Sequence, residues 1–343
     1  MKQVLYIDYI EQKGHVNFHR IHIDALKNEG YNVKIILHEN IARQLPYSDK
    51  DYLFTLPSWL HQRDNQPMLN RFVFLLTLMY TQSHVNFNLF NHVIVASLDE
   101  ITLGILPLCR NMKIICHGNG KSFSNPIKRF FLKKLSKNNS FFVFNEYMAQ
   151  PYKTRGYHNV YIISHGCPFP FPKLEEKLSI NLGQYKKIIF HPSNKINVDF
   201  LNELNNNSQI SSYLEDNGIL ILLRNVPDNL LKSSHIKSIN TYLSQKQYQS
   251  LFVKVDIILL AYPASFNHQV SGVSYECLAN KKRMLCLQHS SLEYASDFYN
   301  YNIFFKNVQE FKDRLTSLLK EDRFQCIGNA ASLQPNYSFL KEI

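Results

Sequence analysis

Two doubly wound α/β domains, one after the other, are what this 343-residue sequence predicts. Three observations predict them. Short β-branched or aromatic runs alternate with stretches of helical periodicity along the first half, the pattern of a parallel sheet wrapped by helices. The segment Cys167-Pro168-Phe169-Pro170-Phe171-Pro172-Lys173, with three prolines at alternate positions, then interrupts the pattern. A second alternating series follows it. The length suits two domains that each bury a core, so the expected division is residues 1–168 and 169–343.

In the first half, strands are predicted at 4–7, 33–37, 92–96, 113–116, 141–144 and 160–163. Between the first two, Phe18, Ile21, His22, Ala25 and Leu26 fall at helical spacing, and Gly30 sits where a helix C-cap belongs. This is a βαβ unit. The linker follows from its prolines, each of which denies a sheet ladder one donor and fixes its own backbone angle. In the second half, strands are predicted at 188–190, 219–223, 256–260, 284–287 and 303–305. Ser244 stands where it can cap a helix over 245–254, with Tyr248, Leu251 and Phe252 on the inner face.

Hydrophobic residues make up 45% of the chain and charged residues 19%, which excludes a disordered or fibrous protein. The longest apolar run of the first half, 72–80, is about half the roughly 20 residues a membrane span needs. The chain starts as a strand, with Asp8 where a signal sequence would need an apolar residue, so a cytoplasmic protein is expected. Six cysteines without any C-x-x-C pair indicate neither a zinc site nor a disulfide framework. A formal net charge of +11 calls for an anionic partner: nucleotide phosphate, a polyanionic acceptor, anionic lipid or nucleic acid. The basic residues are spread, and no aromatic-plus-basic module is present, so no nucleic acid partner is expected.

In open α/β sheets ligands bind beyond the carboxyl ends of the strands, so the residues after each predicted strand are candidates. Gly14 and His15 follow the first strand and precede a helix, where backbone can approach a ligand and free amides can meet an anion. His117-Gly118-Asn119-Gly120 follows the fourth. A histidine there can donate to a ligand hydroxyl or handle a proton, and its glycines leave room. His165-Gly166 repeats the arrangement more simply, and Asp99-Glu100 reads as a helix N-cap. In the second half, His191-Pro192-Ser193-Asn194-Lys195 offers a lysine to neutralise a diphosphate, with Ser193 and Asn194 as neutral donors. The long loop 261–271 ends at Ser271-Gly272, where helix-start amides can hold phosphate. Glu276, one turn further in, can accept both hydroxyls of a ribose.

At this loop, Ser271-Gly272-Val273-Ser274-Tyr275-Glu276-Cys277-Leu278-Ala279-Asn280-Lys281-Lys282-Arg283-Met284-Leu285 resembles the second half of the donor-site signature of retaining GT-B glycosyltransferases of the glycogen-synthase and sucrose-synthase type. That signature is two glutamates separated by seven residues, then a small-residue helix and a strand. Upstream, a helix ending in Phe252, the strand 256–260 and Pro263 follow the same order. His117-Gly118 looks like the strand-end histidine that contacts the donor sugar, Ser164-His165-Gly166 like the segment before the interdomain crossover, and Lys195 like the phosphate-binding lysine.

The resemblance implies the GT-B fold, two Rossmann-like domains facing a central cleft, with 1–168 binding acceptor, 169–343 binding donor, and Glu276 on the ribose. Two positions depart from it. Eight residues before Glu276 stands His268 rather than the first glutamate, and before Ser193 stands Pro192 where relatives place an arginine. Arg224 is the candidate for the missing charge, and the stereochemical outcome stays open.

The expected activity is therefore transfer of a sugar from a UDP- or GDP-type donor to a saccharide or lipid-linked saccharide, as in surface polysaccharide biosynthesis by bacterial relatives. No metal and no other cofactor is expected, because lysine, arginine and helix-start amides can meet the leaving-group charge. Should the reaction invert, His15, His117 and Asp99 are the candidate bases, with Gly14, His15 and Asn119 on the acceptor side. A helix over 126–137 carries five cations and five large apolar residues, with Ile127, Phe130, Phe131, Lys134 and Leu135 read on one side. Two readings stand for it: a helix packed on its own sheet with solvated lysines, or peripheral contact with the anionic inner face of the cell membrane. The alternatives are a sugar-nucleotide epimerase of the same fold and a non-catalytic GT-B partner subunit, the latter suggested by His268 and Pro192.

Overall fold

In a computed structural model describing residues 2–11, 15–63, 66–177, 180–241 and 243–341, the chain forms two compact units. The first holds a sheet of β1 (Gln3–Ile7), β2 (Asn32–His38), β3 (Tyr52–Leu56), β4 (His92–Val95), β5 (Lys113–Ile115), β6 (Ser140–Val143) and β7 (Val160–Ile162), in the order 3-2-1-4-5-6-7. Every pairing in it is parallel. Val4 to Ile7 are fully buried, as a strand covered on both faces must be. That double cover is why the run carries no polar alternation.

The second unit holds β8 (Lys187–Phe190), β9 (Ile219–Arg224), β10 (Ile236–Ile239), β11 (Ile257–Leu260), β12 (Arg283–Leu287) and β13 (Phe304–Phe305), in the order 10-9-8-11-12-13. These pairings too are all parallel. Both units are thus doubly wound Rossmann-like sheets, the predicted fold class. The strand order reverses between β1 and β4 in one and between β8 and β11 in the other. Ligand crevices in such sheets open at those switch points.

Helix Val16–Asn28 packs Phe18, Ile21, Ile23 and Leu26 inward, and it ends as predicted at Gly30, whose φ of +86° suits the left-handed cap. The Gly30 amide donates to Lys27 O (3.0 Å) and the Tyr31 amide to Leu26 O (3.2 Å), closing the last turn. Ser244 caps helix Gln245–Lys254 by accepting from the Gln247 amide, and Gln247 Oε1 in return accepts the Ser244 amide. From 163 to 177 the chain has no regular secondary structure, in keeping with the prolines.

Three expectations need correction. Strands β3 and β10 were not predicted; both are sheet edges whose central residues are only partly buried, so their apolar pattern is weak. Residues 333–343, expected with the second domain, belong to the first unit. Tyr337 draws them there: it is fully buried and its hydroxyl lies 2.6 Å from His22 Nδ1. In helix Pro126–Ser136 the buried side carries Leu132 and Leu135, while Ile127 and Phe130 face solvent at 59% and 64% exposure. Two of its cations are engaged inward, Lys128 with Glu100 (3.1 Å) and Lys134 with Gly104 O (2.7 Å). Among the described residues no helix is long and apolar enough to cross a membrane, and run 72–80 lies within helix Pro67–His84.

Candidate functional site

In the second unit the candidates gather at the β8/β11 switch point. Ser193, Asn194 and Lys195 follow β8, and the Asn197 amide donates to Ala261 O (2.7 Å), tying this loop to the exit of β11. His191, fully buried, sits between Leu259 O at 2.8 Å from Nδ1 and Lys195 O at 3.2 Å from Nε2. Burial lowers its pKa to about 4, so the neutral ring donates one hydrogen and the shorter contact favours Leu259. The Lys195 amide donates to Ser193 Oγ (3.0 Å), while the Lys195 side chain is exposed and forms no ion pair among the described residues. Arg224, at the end of β9, donates through Nη1 to Pro192 O (3.3 Å), so it reaches the same loop, and its Nε is buried without a hydrogen-bond partner among the described residues.

Ser271 is the N-cap of helix Gly272–Ala279, accepting from the Ser274 amide (3.3 Å) and hydrogen-bonded to Tyr262 Oη (2.8 Å). Gly272 is exposed, and a Cβ built there would meet nothing within 4 Å. Neither packing nor a positive φ requires glycine at this position. One turn on, Glu276 accepts from the Tyr248 hydroxyl through Oε2 (2.6 Å), and its other oxygen has no partner among the described residues. Burial pushes the carboxyl up to about 7, with the Tyr248 hydrogen bond acting against it.

His268 stands apart from these. With Gln269 and Val270 it belongs to the first unit, where its ring stacks on Tyr147 at 4.9 Å between centroids. Its φ of +57° is uncommon for a residue with a Cβ, and its Nδ1 is buried without a hydrogen-bond partner among the described residues.

In the first unit, the structure brings His15 and His117 together, 4.5 Å between ring centroids, with Phe18, Phe144 and His165 around them. His117 donates through Nε2 to Ala96 O (2.9 Å), which leaves Nδ1 as the atom it can offer a ligand. Burial, with the neighbouring His15 next in weight, holds His117 well below the usual imidazole range. Burial and the His19 charge take His15 down to about 3, and burial takes His165 to about 4. These rings are neutral at pH 7: good hydrogen-bond partners, weak proton acceptors.

Asp99 is engaged on both oxygens. Oδ1 accepts from the Thr102 amide (3.0 Å) as the cap of helix Glu100–Ile105, and Oδ2 lies 3.4 Å from Arg71 Nε. Asn119 turns inward, donating to Leu98 O (3.1 Å) and to the buried carboxylate of Glu100. Gly14 lies outside the described residues. All six cysteines are free.

No family model matches the chain, and no curated protein is similar to it in sequence. Solved structures do match over nearly the whole length. Anabaena HepE in complex with UDP and glucose aligns with a TM-score of 0.61 at 10% identity, covering 100% of this chain and 98% of that one. A putative UDP-N-acetylglucosamine 2-epimerase from Listeria monocytogenes gives 0.60 at 10%, covering 100% and 94%. A glycosyltransferase from Rickettsia africae gives 0.54 at 13%, covering 93% and 88%. The fold is GT-B. At such identities the likeness is one of fold.

Within this GT-B chain, sequence reasoning missed four participants. Tyr248 was read only as an inner-face residue, yet it holds Glu276. Arg71 was not singled out, yet it sits against Asp99. Asp8 and His19, 3.2 Å apart between Oδ2 and Nε2, join β1 to the first helix beneath His15. The spacing of His15 and His19, one helical turn, was a signal available in the sequence.

Proposed function

We propose that this chain is a glycosyltransferase taking a sugar from a UDP- or GDP-type donor and passing it to a saccharide or lipid-linked saccharide. The observation that carries the reading is Glu276: a half-buried carboxylate with one oxygen fixed by Tyr248 and the other free, one turn into a helix whose glycine start stands open. In this reading the free oxygen takes a ribose hydroxyl, the amides at Gly272 and Val273 meet phosphate, and Lys195, supported by Ser193, Asn194 and Arg224, meets the charge that develops on the departing diphosphate. The second unit is the donor unit and the first the acceptor unit, with His15 and His117 as neutral hydrogen-bond partners for an acceptor hydroxyl. The fold shared with HepE bound to UDP and glucose supports this reading.

The reading is tested by incubating the protein with a panel of nucleotide sugars, following thermal stability and slow donor hydrolysis. One nucleotide class should raise Tm by several degrees at millimolar concentration. Stabilisation by none of them overturns the proposal. The fold is shared with a UDP-N-acetylglucosamine 2-epimerase, so the second reading is epimerisation. It is distinguished by a change in the donor's own sugar configuration with no acceptor present.

Peripheral attachment to the inner membrane face belongs to the same proposal. Ile127 and Phe130 stand exposed beside Arg129, Lys133 and Lys137, the combination an anionic bilayer surface favours. Cosedimentation with phosphatidylserine-containing vesicles should fall at least about fivefold in Phe130→Asp. Equal binding by both proteins removes this helix as the contact.

A further inference from the structure

At the carboxyl end of β1 two buried side chains face each other as an ion pair out of hydrogen-bond alignment, and a third stands beside them without a hydrogen-bond partner among the described residues. Asp8, the first residue after β1, is 1% exposed; its Oδ1 accepts the Ile10 amide (3.0 Å), and its Oδ2 makes no hydrogen bond among the described residues. His19 is fully buried one turn into helix Val16–Asn28. Its Nδ1 is fixed 3.0 Å from the Tyr6 hydroxyl, while its Nε2 lies 3.2 Å from Asp8 Oδ2, close enough for attraction but out of hydrogen-bond alignment. His15, at the start of the same helix, has a buried Nδ1 with no hydrogen-bond partner among the described residues. One ligand atom from each of the three residues lies within 4.8 Å of the other two. Buried polar groups in native folds are satisfied by hydrogen bonds; here the Asp8–His19 pair is met only by attraction and His15 Nδ1 by nothing among the described residues, and the convergence points to something that binds all three.

We propose that Asp8, His15 and His19 form a binding site for a divalent transition-metal ion of the zinc class. One carboxylate oxygen and two imidazole nitrogens are the donor set such ions take. The 3.2 Å between Asp8 Oδ2 and His19 Nε2 is close to the roughly 3.3 Å edge of a tetrahedron whose bonds are about 2.0–2.1 Å. His15 and His19 are one turn apart on the first turn of a helix, so both rings lie on one face, as in helical two-histidine metal motifs. The supports are in place as well. The Tyr6 hydroxyl holds His19 Nδ1, which fixes the ring and presents Nε2, and the Ile10 amide orients the Asp8 carboxylate.

Three protein ligands leave a fourth position for water or a ligand oxygen, the open arrangement of sites where the ion acts on what it binds. The position, next to the β1/β4 switch point and beside His117, is where this sheet receives ligands. A second cluster, Glu11, His38 and His61, also lies within 4.8 Å, but Glu11 Oε2 and His61 Nδ1 are already paired at 2.6 Å and need no ion. The proposed site lies wholly in the first unit and stands independently of the donor reading.

The test uses the full chain, stripped with chelator and dialysed into metal-free buffer. It is titrated with Co²⁺ and then Zn²⁺ by calorimetry, with the visible Co²⁺ spectrum as a second readout. One ion per chain should bind with a dissociation constant in the micromolar range or tighter, and Asp8→Asn and His19→Gln should weaken it at least about 100-fold. Glu11→Gln should leave it unchanged. If the core variants do not fold, His15→Asn at the partly exposed helix start gives the same reading, with circular dichroism confirming its fold. Binding weaker than about 1 mM for both ions, or equal binding by His15→Asn and wild type, overturns the site and leaves Asp8 and His19 as a buried pair that needs no ion.

Discussion

At Glu276, two effects oppose each other: burial pushes the carboxyl up and the Tyr248 hydroxyl pulls it back, with a net pKa of about 7 against 4.5 for the free group. Folded, the group keeps its proton until about pH 7; unfolded, it gives the proton up near 4.5. Stability from this residue is therefore fully present below about pH 4.5 and is lost as pH rises through 7. The cost above pH 7 is at most about 3.5 kcal/mol, since each pKa unit is worth about 1.4 kcal/mol. Glu276→Gln should accordingly melt a few degrees higher than wild type at pH 8, with the gap closing near pH 4.5. A gap of equal size at both pH values would show that the charge is not what costs stability. Glu276 was legible in the sequence because its chemistry is local, set by its distance from a helix start. Asp8 and His19 were not read as a pair, because ten residues of chain lie between them and only the return of the helix onto β1 brings them together.

At the scale of elements, two glycines make the distinction between folding and binding testable. Gly30 has a φ of +86° with open space around it, so its glycine is demanded by backbone angle alone. Gly272 has equal space and no positive φ, so nothing in the helix it begins demands glycine. Gly30→Ala should cost about 1 kcal/mol of stability. Gly272→Ala should change stability by less than about 0.5 kcal/mol while weakening nucleotide binding about tenfold, because a Cβ would stand where phosphate approaches the amides. Melting curves and a nucleotide titration on the two variants decide this, and a Gly272→Ala protein that binds nucleotide normally would remove the helix start from the site. The central strands were legible as apolar runs, since parallel strands covered on both faces have no choice of residue type. The edge strands β3 and β10 were not, because a half-exposed strand shares its composition with loops. The β8 loop was legible as a lysine after a strand, whereas the contact of Arg224 with Pro192 O, matched from position alone, needed the fold to place it.

For the whole molecule, the arrangement of two doubly wound units was readable from alternation and a proline-rich break. The return of residues 333–343 to the first unit was not, since nothing local to Tyr337 names His22 as its partner 315 residues away. The net charge of +11 fits a protein whose ligands are anions, yet it spreads over both units and selects none of them. The proposed donor site rests instead on the second unit, where Lys195, the open helix start and Glu276 follow strands at the carboxyl end of one sheet. The measurement that bears most directly on that claim is calorimetric titration of UDP and GDP into wild type and Glu276→Ala at pH 8, where the carboxylate is ionised. Wild type should bind one of the two with a dissociation constant below about 1 mM, and Glu276→Ala, still folded, should bind it at least about tenfold more weakly. Equal affinity in the two proteins, or no binding of either nucleotide to wild type, would contradict it.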